Sequence, residues 1–123
     1  MFTHVMVGSN DIARSRAFYD AVLGALGHKS DPTRPNPVYR SDGGTFMVRP
    51  PLDGKQATHA NGGTTGFKAP SRKAIDEFHK AALTNGGTCE GPPGPRDFGP
   101  NAYAAYVRDP DGNKLCAICH APA

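Results

Sequence analysis

Apolar side chains recur every three or four residues in two segments of the chain, which predicts two amphipathic helices. The first helix is predicted over Asp11–Leu26, with Asn10 as its N-cap and Gly27 as its stop. The second helix is predicted over Arg72–Thr84, with Ser71 as its N-cap. Short segments that alternate apolar and polar residues, bounded by turns rich in glycine and proline, predict strands around both helices.

The two helical segments are copies of each other, sixty residues apart, since Phe18 matches Phe78 and Gly27 matches Gly87. The strand THVMVG before the first helix corresponds to GTTGFK before the second, and the later strands DGGTFMV and DGNKLCA also correspond. One such unit cannot cover both faces of its own sheet, so two are expected side by side. The repeat predicts an α+β fold. Two tandem βαβββ modules, at about residues 1–53 and 60–123 of a single domain, form a curved, cup-shaped mixed sheet with the helices outside.

Charge and composition exclude several classes of partner. The formal net charge of +3 is small and spread along all 123 residues, without a basic run, so no nucleic-acid partner is expected. No apolar run is long enough to cross a membrane, and the N-terminus does not have the pattern of a signal peptide. Three cysteines, an odd number, then favour reduced thiols and a cytoplasmic location.

The segment CAICH, residues 116–120, matches the C-x-x-C-H pattern to which c-type haem is attached. Because the segment is predicted to be the last strand, Cys116 and Cys119 are expected on opposite faces of the sheet. Haem attachment requires both thiols on one side of an exposed segment, so no haem is expected. Cys116 then has two interpretations: a neutral, small apolar side chain, or a thiolate that serves as a soft metal ligand.

The paired modules, with FYDAVLGALG in the first helix and YAAYVRDPDGNKL before the last strand, resemble the vicinal oxygen chelate superfamily. This superfamily includes glyoxalases, bleomycin-resistance proteins and extradiol dioxygenases, and the resemblance covers the whole chain. It implies a divalent metal in the cup, bound by histidine and glutamate at four strand positions. It does not imply one activity, because one fold supports many chemistries. The DPDGN segment is explained here as a turn.

The resemblance places the four metal-binding positions at His4, Met47, Thr64 and Cys116. Only His4 matches the family pattern, since the other three side chains are a thioether, a hydroxyl and a thiol. Iron, manganese, nickel and magnesium prefer imidazole and carboxylate ligands. The usual ligand set is therefore largely lost, and His4 and the softer Cys116 are the metal candidates. A hydrogen-bonded core histidine at His4 and a core methionine at Met47 are the alternative interpretations.

The proline-rich segment TCEGPPGPRDFGPNAY, residues 88–103, is a candidate lid over the cup. Arg96 and Phe98 are its candidate ligand contacts, since a guanidinium suits a carboxylate or phosphate; an ordinary surface loop is the alternative. Strand alternation places Tyr103 and Tyr106 on opposite faces, so one of them is expected in the cup. The pattern does not decide which one, and Tyr103 is named as the candidate.

Three functions are consistent with these residues. The first is a protein that binds a small molecule in the cup without a metal, as bleomycin-resistance members do. The second is a metal-dependent lyase or ring-cleaving dioxygenase of the glyoxalase type that uses His4 with atypical ligands. The third is a module for dimerisation or partner contact with a vestigial cup. The ligand positions favour binding and the resemblance favours an enzyme. Exposed sheet edges predict a homodimer.

Overall fold

Two helices and seven strands form two open sheets in the computed structural model, which describes all 123 residues. The elements are β1 His4–Gly8, α1 Ile12–Ala25, β2 Val38–Ser41, β3 Gly44–Arg49, β4 Thr65–Lys68, α2 Arg72–Thr84, β5 Thr88–Pro95, β6 Tyr103–Arg108 and β7 Lys114–Cys119. The strand orders are β1-β3-β2 and β4-β7-β6-β5. The predicted α+β class is confirmed. Neither helix combines the length and apolar character that a membrane crossing requires.

The two sheets repeat one pairing pattern, as the sequence repeat predicts. β1 runs parallel to β3, with Met6 opposite Met47, and β4 runs parallel to β7, with Gly66 opposite Cys116. The sequence correspondence carries Met6 onto Gly66 and Met47 onto Cys116. The first and last strands of each half therefore lie side by side in the same register.

The first sheet has one strand fewer than the predicted βαβββ module. Between α1 and β2, the chain makes only an isolated bridge from Ser30 to Tyr39. Asp31 Oδ1 instead accepts hydrogen bonds from the amide (2.9 Å) and hydroxyl (2.6 Å) of Thr33, which form a local turn. The prolines that follow lack the N–H groups that a strand ladder requires. The segment is consequently a turn and an extended connection.

The helix ends follow the predicted caps with one difference. α2 has the predicted bounds, and Ser71 caps it by accepting a hydrogen bond from the Ala74 amide. In α1, the cap is Asp11 rather than Asn10. The Asn10 side chain bonds both backbone groups of Ala57, at 2.7 and 3.2 Å, and so holds the connection between the two halves against the start of α1.

One hydrophobic cluster joins the two halves and lies on the helix side of both sheets. α1 packs against α2, and the rings of Phe46 and Phe67 meet edge to face at 5.1 Å across the boundary between the sheets. The largest buried side chains of the helices all belong to this cluster: Phe18, Tyr19, Leu23, Ile75 and Phe78. The opposite face of each sheet lies away from this cluster.

We call that opposite side the cup face. Its residues alternate along the strands with buried core residues such as Phe46 and Leu115. On the first sheet, the cup-face residues include His4, Met6, Thr45 and Met47. On the second sheet, they include Gly66, Lys68, Tyr106, Arg108, Lys114 and Cys116.

The turn between β6 and β7 links the second sheet to the first. The Asn113 amide nitrogen donates hydrogen bonds to the Gly8 carbonyl (3.1 Å) and to Asp109 (2.9 Å). The Tyr19 hydroxyl donates to the same Asp109 carboxylate at 2.5 Å. Burial, and then this carboxylate, raises the pKa of Tyr19 well above its ordinary value. The tyrosine therefore stays a hydrogen-bond donor in the core.

Asp111 makes the second part of this link. Its carboxylate accepts hydrogen bonds from the Asn10 amide (3.0 Å), Arg14 (3.0 Å) and the Ser15 hydroxyl (3.3 Å). The Asp111 side chain is 2% exposed, whereas Arg14 is 46% exposed. We call residues 109–113 with these partners the module clamp. The sequence predicted only a turn for this segment. In the structure, the segment also joins the two halves through these contacts.

Replacement of Asn113 by alanine tests the module clamp. Asn113→Ala leaves the Gly8 carbonyl without its side-chain donor and removes one of the hydrogen bonds that Asp109 accepts, so we expect it to lower the free energy of unfolding by about 2 kcal/mol. Urea unfolding followed by circular dichroism measures this change. Asn61→Ala, at an exposed asparagine, is the matched control with no expected effect. Equal stability of the two variants would contradict the role of the clamp.

Candidate functional site

A cavity of about 660 Å³ lies along the boundary between the two sheets. β1 and β4 each have a hydrogen-bonded neighbour on one side only, and residues of both free edges line the cavity. Apolar walls come from Val5, Leu23, Leu26, Phe46 and Phe67. Polar groups come from His4, His28, Asp42 and Lys68. We call this space the seam cavity.

Tyr39 forms a neutral part of the seam cavity wall. Its hydroxyl donates a hydrogen bond to Asp20 at 2.7 Å. Burial, and then the Asp20 carboxylate, raises the pKa of Tyr39 far above its ordinary value. Because its proton is committed to Asp20, Tyr39 offers a ligand an aromatic surface rather than a charge.

The four positions given by the resemblance have different surroundings. His4 is exposed, lines the seam cavity, and its Nδ1 atom lies 2.9 Å from the Thr3 hydroxyl. Met47 lies half-buried on the cup face, and Thr64 is exposed just before β4. Cys116 lies on the cup face but is only 4% exposed. Burial raises the pKa of the Cys116 thiol, and nearby Lys114 offsets only part of this effect.

The two thiols of the CAICH segment lie on opposite faces of β7. Cys116 is opposite Gly66 and Tyr106, on the cup face. Cys119 is opposite Tyr103 and belongs to the hydrophobic cluster. The two sulfur atoms therefore do not converge on one ligand, and all three cysteines of the chain are free thiols.

Arg96 folds back over β5. Its guanidinium donates hydrogen bonds to the carbonyls of Pro92 (2.8 Å), Gly94 (2.9 Å) and Pro95 (3.1 Å). A Cβ atom at Gly94 would lie 3.2 Å from Nη1, and one at Gly91 would lie 3.4 Å from Nη2. The two glycines therefore leave the space that the guanidinium occupies.

The other candidate of this segment, Phe98, lies in the loop between β5 and β6. Its side chain is 49% exposed, and Phe98 does not line the seam cavity. The loop returns to the sheet beyond it, where Gly99 lies against the His120 ring. Phe98 is consequently a surface residue in this conformation, which matches the alternative interpretation of the segment.

Tyr103 does not line the cup face, contrary to the sequence prediction. Its hydroxyl donates to Asp76 of α2 at 2.7 Å, and the Arg72 guanidinium lies 4.9 Å from its ring centroid. Tyr106 faces the cup instead, because the β6–β7 register places it opposite Cys116. Sequence alternation separates the two tyrosines, but it does not give this register.

Lys114 is a cup-face residue that the sequence analysis missed. Its Nζ atom lies 5.4 Å from the ring centroid of Tyr106, and the Arg96 guanidinium carbon lies 5.7 Å from the same point. Lys114 precedes Cys116 by two residues, so strand alternation places both on one face. The spacing of two residues from Cys116 could therefore have predicted Lys114 as a cup-face residue.

Comparison with known proteins decides the family. The family model described as the Glyoxalase/Bleomycin resistance protein/Dioxygenase superfamily matches residues 1–117. The chain belongs to this superfamily. A glyoxalase/bleomycin resistance protein from Albidiferax ferrireducens T118 is similar in structure, with a TM-score of 0.88 and 52% sequence identity over 96% of this chain and 97% of that chain. No curated protein matches.

More distant solved structures share the fold of this superfamily. A glyoxalase-related enzyme from Fulvimarina pelagi has a TM-score of 0.74 at 17% identity, over 96% of this chain and 86% of that one. A lactoylglutathione lyase from Agrobacterium tumefaciens has a TM-score of 0.60 at 21% identity, over 96% of this chain and 92% of that one. At these identities, the similarity shows a shared fold alone.

The residues at the four positions that the resemblance gives do not suit a hard divalent ion. An imidazole, a thioether, a hydroxyl and a neutral buried thiol stand where such an ion needs imidazole and carboxylate. Nowhere in the chain do three histidine, cysteine, aspartate or glutamate side chains come together. These residues support no reaction step through a divalent metal.

Thiol labelling tests the burial of Cys116. With Ellman's reagent at pH 8, we expect Cys89, which is exposed, to react at least ~100-fold faster than the buried Cys116 and Cys119. In Cys89→Ser, the fast phase should disappear and two thiols should react only after unfolding. A fast phase that persists in Cys89→Ser and disappears in Cys89→Ser/Cys116→Ser would show a reactive Cys116 thiolate.

Proposed function

We propose that this superfamily member binds a small molecule in the seam cavity and on the adjoining cup face, without a divalent metal. The seam cavity is the observation that carries this proposal. Its volume of about 660 Å³ lies within the range of small-molecule sites, which is about 300–1,000 Å³. Its walls combine apolar side chains with a few polar groups, the composition that gives such sites both affinity and orientation.

A metal-dependent lyase or dioxygenase that uses His4 is the alternative. The chemistry of the donors favours the metal-free proposal, because His4 lacks a carboxylate partner and Cys116 is a buried thiol. The lyase from A. tumefaciens shares only the fold with this chain. The name of the 52% identical relative spans glyoxalase and bleomycin resistance, so it supports either function.

We also propose that the chain forms a homodimer in a reducing compartment such as the cytoplasm. The outer edges of β2 and β5 have no strand beside them, and unpaired edges favour association with another chain. Met6 on the cup face is 52% exposed, and Phe2 is 73% exposed. The three free thiols support the reducing compartment.

A tryptophan placed in the seam cavity tests the binding function. We expect the neutral dye N-phenyl-1-naphthylamine to bind the native chain saturably, one molecule per chain, with an increase in fluorescence. Val5→Trp puts an indole into the cavity and should weaken this binding at least ~tenfold, because the space for the dye is filled. Fluorescence titration gives both dissociation constants.

Leu52→Trp is the matched control, since Leu52 is 97% exposed and does not line the cavity. Thermal unfolding confirms that each variant is folded. Absence of saturable binding to the native chain, or equal binding by both variants, would contradict the proposed site.

A further inference from the structure

Positive charge collects on the cup face of the second sheet. Lys68, Arg96 and Lys114 lie there, and none of them forms an ion pair. Glu90 is hydrogen-bonded to Arg108 at 2.8 Å, and these two charges offset each other. Arg108 first, and Lys114 to a smaller extent, hold the pKa of Glu90 below its usual range. One carboxylate therefore faces four cationic side chains.

Two of these cations lie beside the same aromatic ring. The centroid of Tyr106 is 5.4 Å from the Lys114 ammonium and 5.7 Å from the Arg96 guanidinium carbon. Both cations are half-buried, so water screens the repulsion between them incompletely. An anion bound near both of them would offset this repulsion by attraction.

The hydrogen-bonding groups around Tyr106 divide into used and unused donors. The guanidinium of Arg96 is fixed by three backbone carbonyls, so it contributes charge at a set position. The Lys114 ammonium and the Tyr106 hydroxyl have no hydrogen-bond partner in the chain, whereas the Tyr103 hydroxyl on the other face is bonded to Asp76. Two unused donors beside a fixed cation are the groups that an oxyanion requires.

This set of donors lies within reach of the seam cavity. Gly66 lines the cavity, Cys116 is its neighbour across the strands, and Tyr106 is the next. Neighbouring strands are about 4.8 Å apart, so Tyr106 lies about 10 Å from Gly66. A molecule of this length spans the distance from the apolar cavity wall to the charged group of residues.

We infer that the cup takes a small organic oxyanion, with its charged group at Lys114 and Tyr106 near Arg96 and its flat apolar body in the seam cavity. The inference rests on the proposed function and names the chemical class of its ligand. The apolar surface of the cavity favours a ligand with an apolar body, and the unpaired cations favour a ligand with a negative charge.

A pair of dyes that differ in one charged group tests this inference. 8-Anilinonaphthalene-1-sulfonate carries an oxyanion on the aromatic body of N-phenyl-1-naphthylamine, which is neutral. In Lys114→Met, we expect the dissociation constant of the sulfonate dye to rise about tenfold, as for loss of a charge-assisted hydrogen bond, while that of the neutral dye changes less than about twofold. Raising NaCl from about 0.05 to 0.5 M should weaken only the sulfonate dye.

Lys80→Met, on the exposed side of α2, removes the same charge outside the cup and should change neither dissociation constant. Tyr106→Phe removes only the hydroxyl and should weaken the sulfonate dye about threefold, so it carries the test if Lys114→Met does not fold. Equal effects of Lys114→Met on both dyes, or an equal effect of Lys80→Met on the sulfonate dye, would overturn the inference and leave the proposed function intact. If neither dye binds the native chain, both fail.

Discussion

The hydrogen bonds of the module clamp hold the two halves of this chain in one arrangement. Asp109, Asp111 and Asn113 come from one turn, and they reach the end of β1 and the first turns of α1. These groups are buried, so each unmade bond would leave a polar atom without water or partner. Sliding or tilting one sheet against the other breaks several such bonds together. The clamp therefore fixes the geometry with a small number of contacts.

The clamp also explains how the seam cavity can exist. A continuous sheet would pair β1 with β4 and leave no space between them. Here the halves are joined by the turn and by the contact of α1 with α2, so the facing strand edges need no hydrogen bonds to each other. The gap between the edges is lined by apolar core residues and by cup-face residues of both sheets, among them His4 and Gly66. A binding site at the boundary between two modules follows from this way of joining them.

Much of the fold could be predicted from the sequence because its signals are local. α2 has the predicted bounds, since Ser71 caps its start and the run Asn85–Gly87 ends it. The missing strand of the first half also has a local cause, the turn at Asp31. The residue pattern does not show whether this turn or strand pairing is more stable there. The partners of the clamp could not be predicted, because they lie about a hundred residues away in sequence.

The site was predicted less completely than the fold, for a related reason. His4 is on the first strand, whose alternation alone gives its face. The choice between Tyr103 and Tyr106 depends on the register of β6 against β7. The folded turn between the two strands sets this register, and the sequence pattern alone does not give it. The path of Arg96 depends on the space that Gly91 and Gly94 leave on β5, the strand before it. Cross-strand geometry therefore determines the charged part of the cup.

Elemental analysis of tag-free protein, purified without a chelator, tests most directly whether this superfamily fold works here without a divalent metal. We expect substoichiometric iron, nickel, manganese, zinc and copper, because the four strand positions hold His4, Met47, Thr64 and a buried neutral Cys116 thiol. One equivalent of iron, nickel or manganese per chain would contradict this expectation and favour the glyoxalase or dioxygenase chemistries. One equivalent of zinc or copper would contradict it equally, and would implicate Cys116 with His4 as ligands.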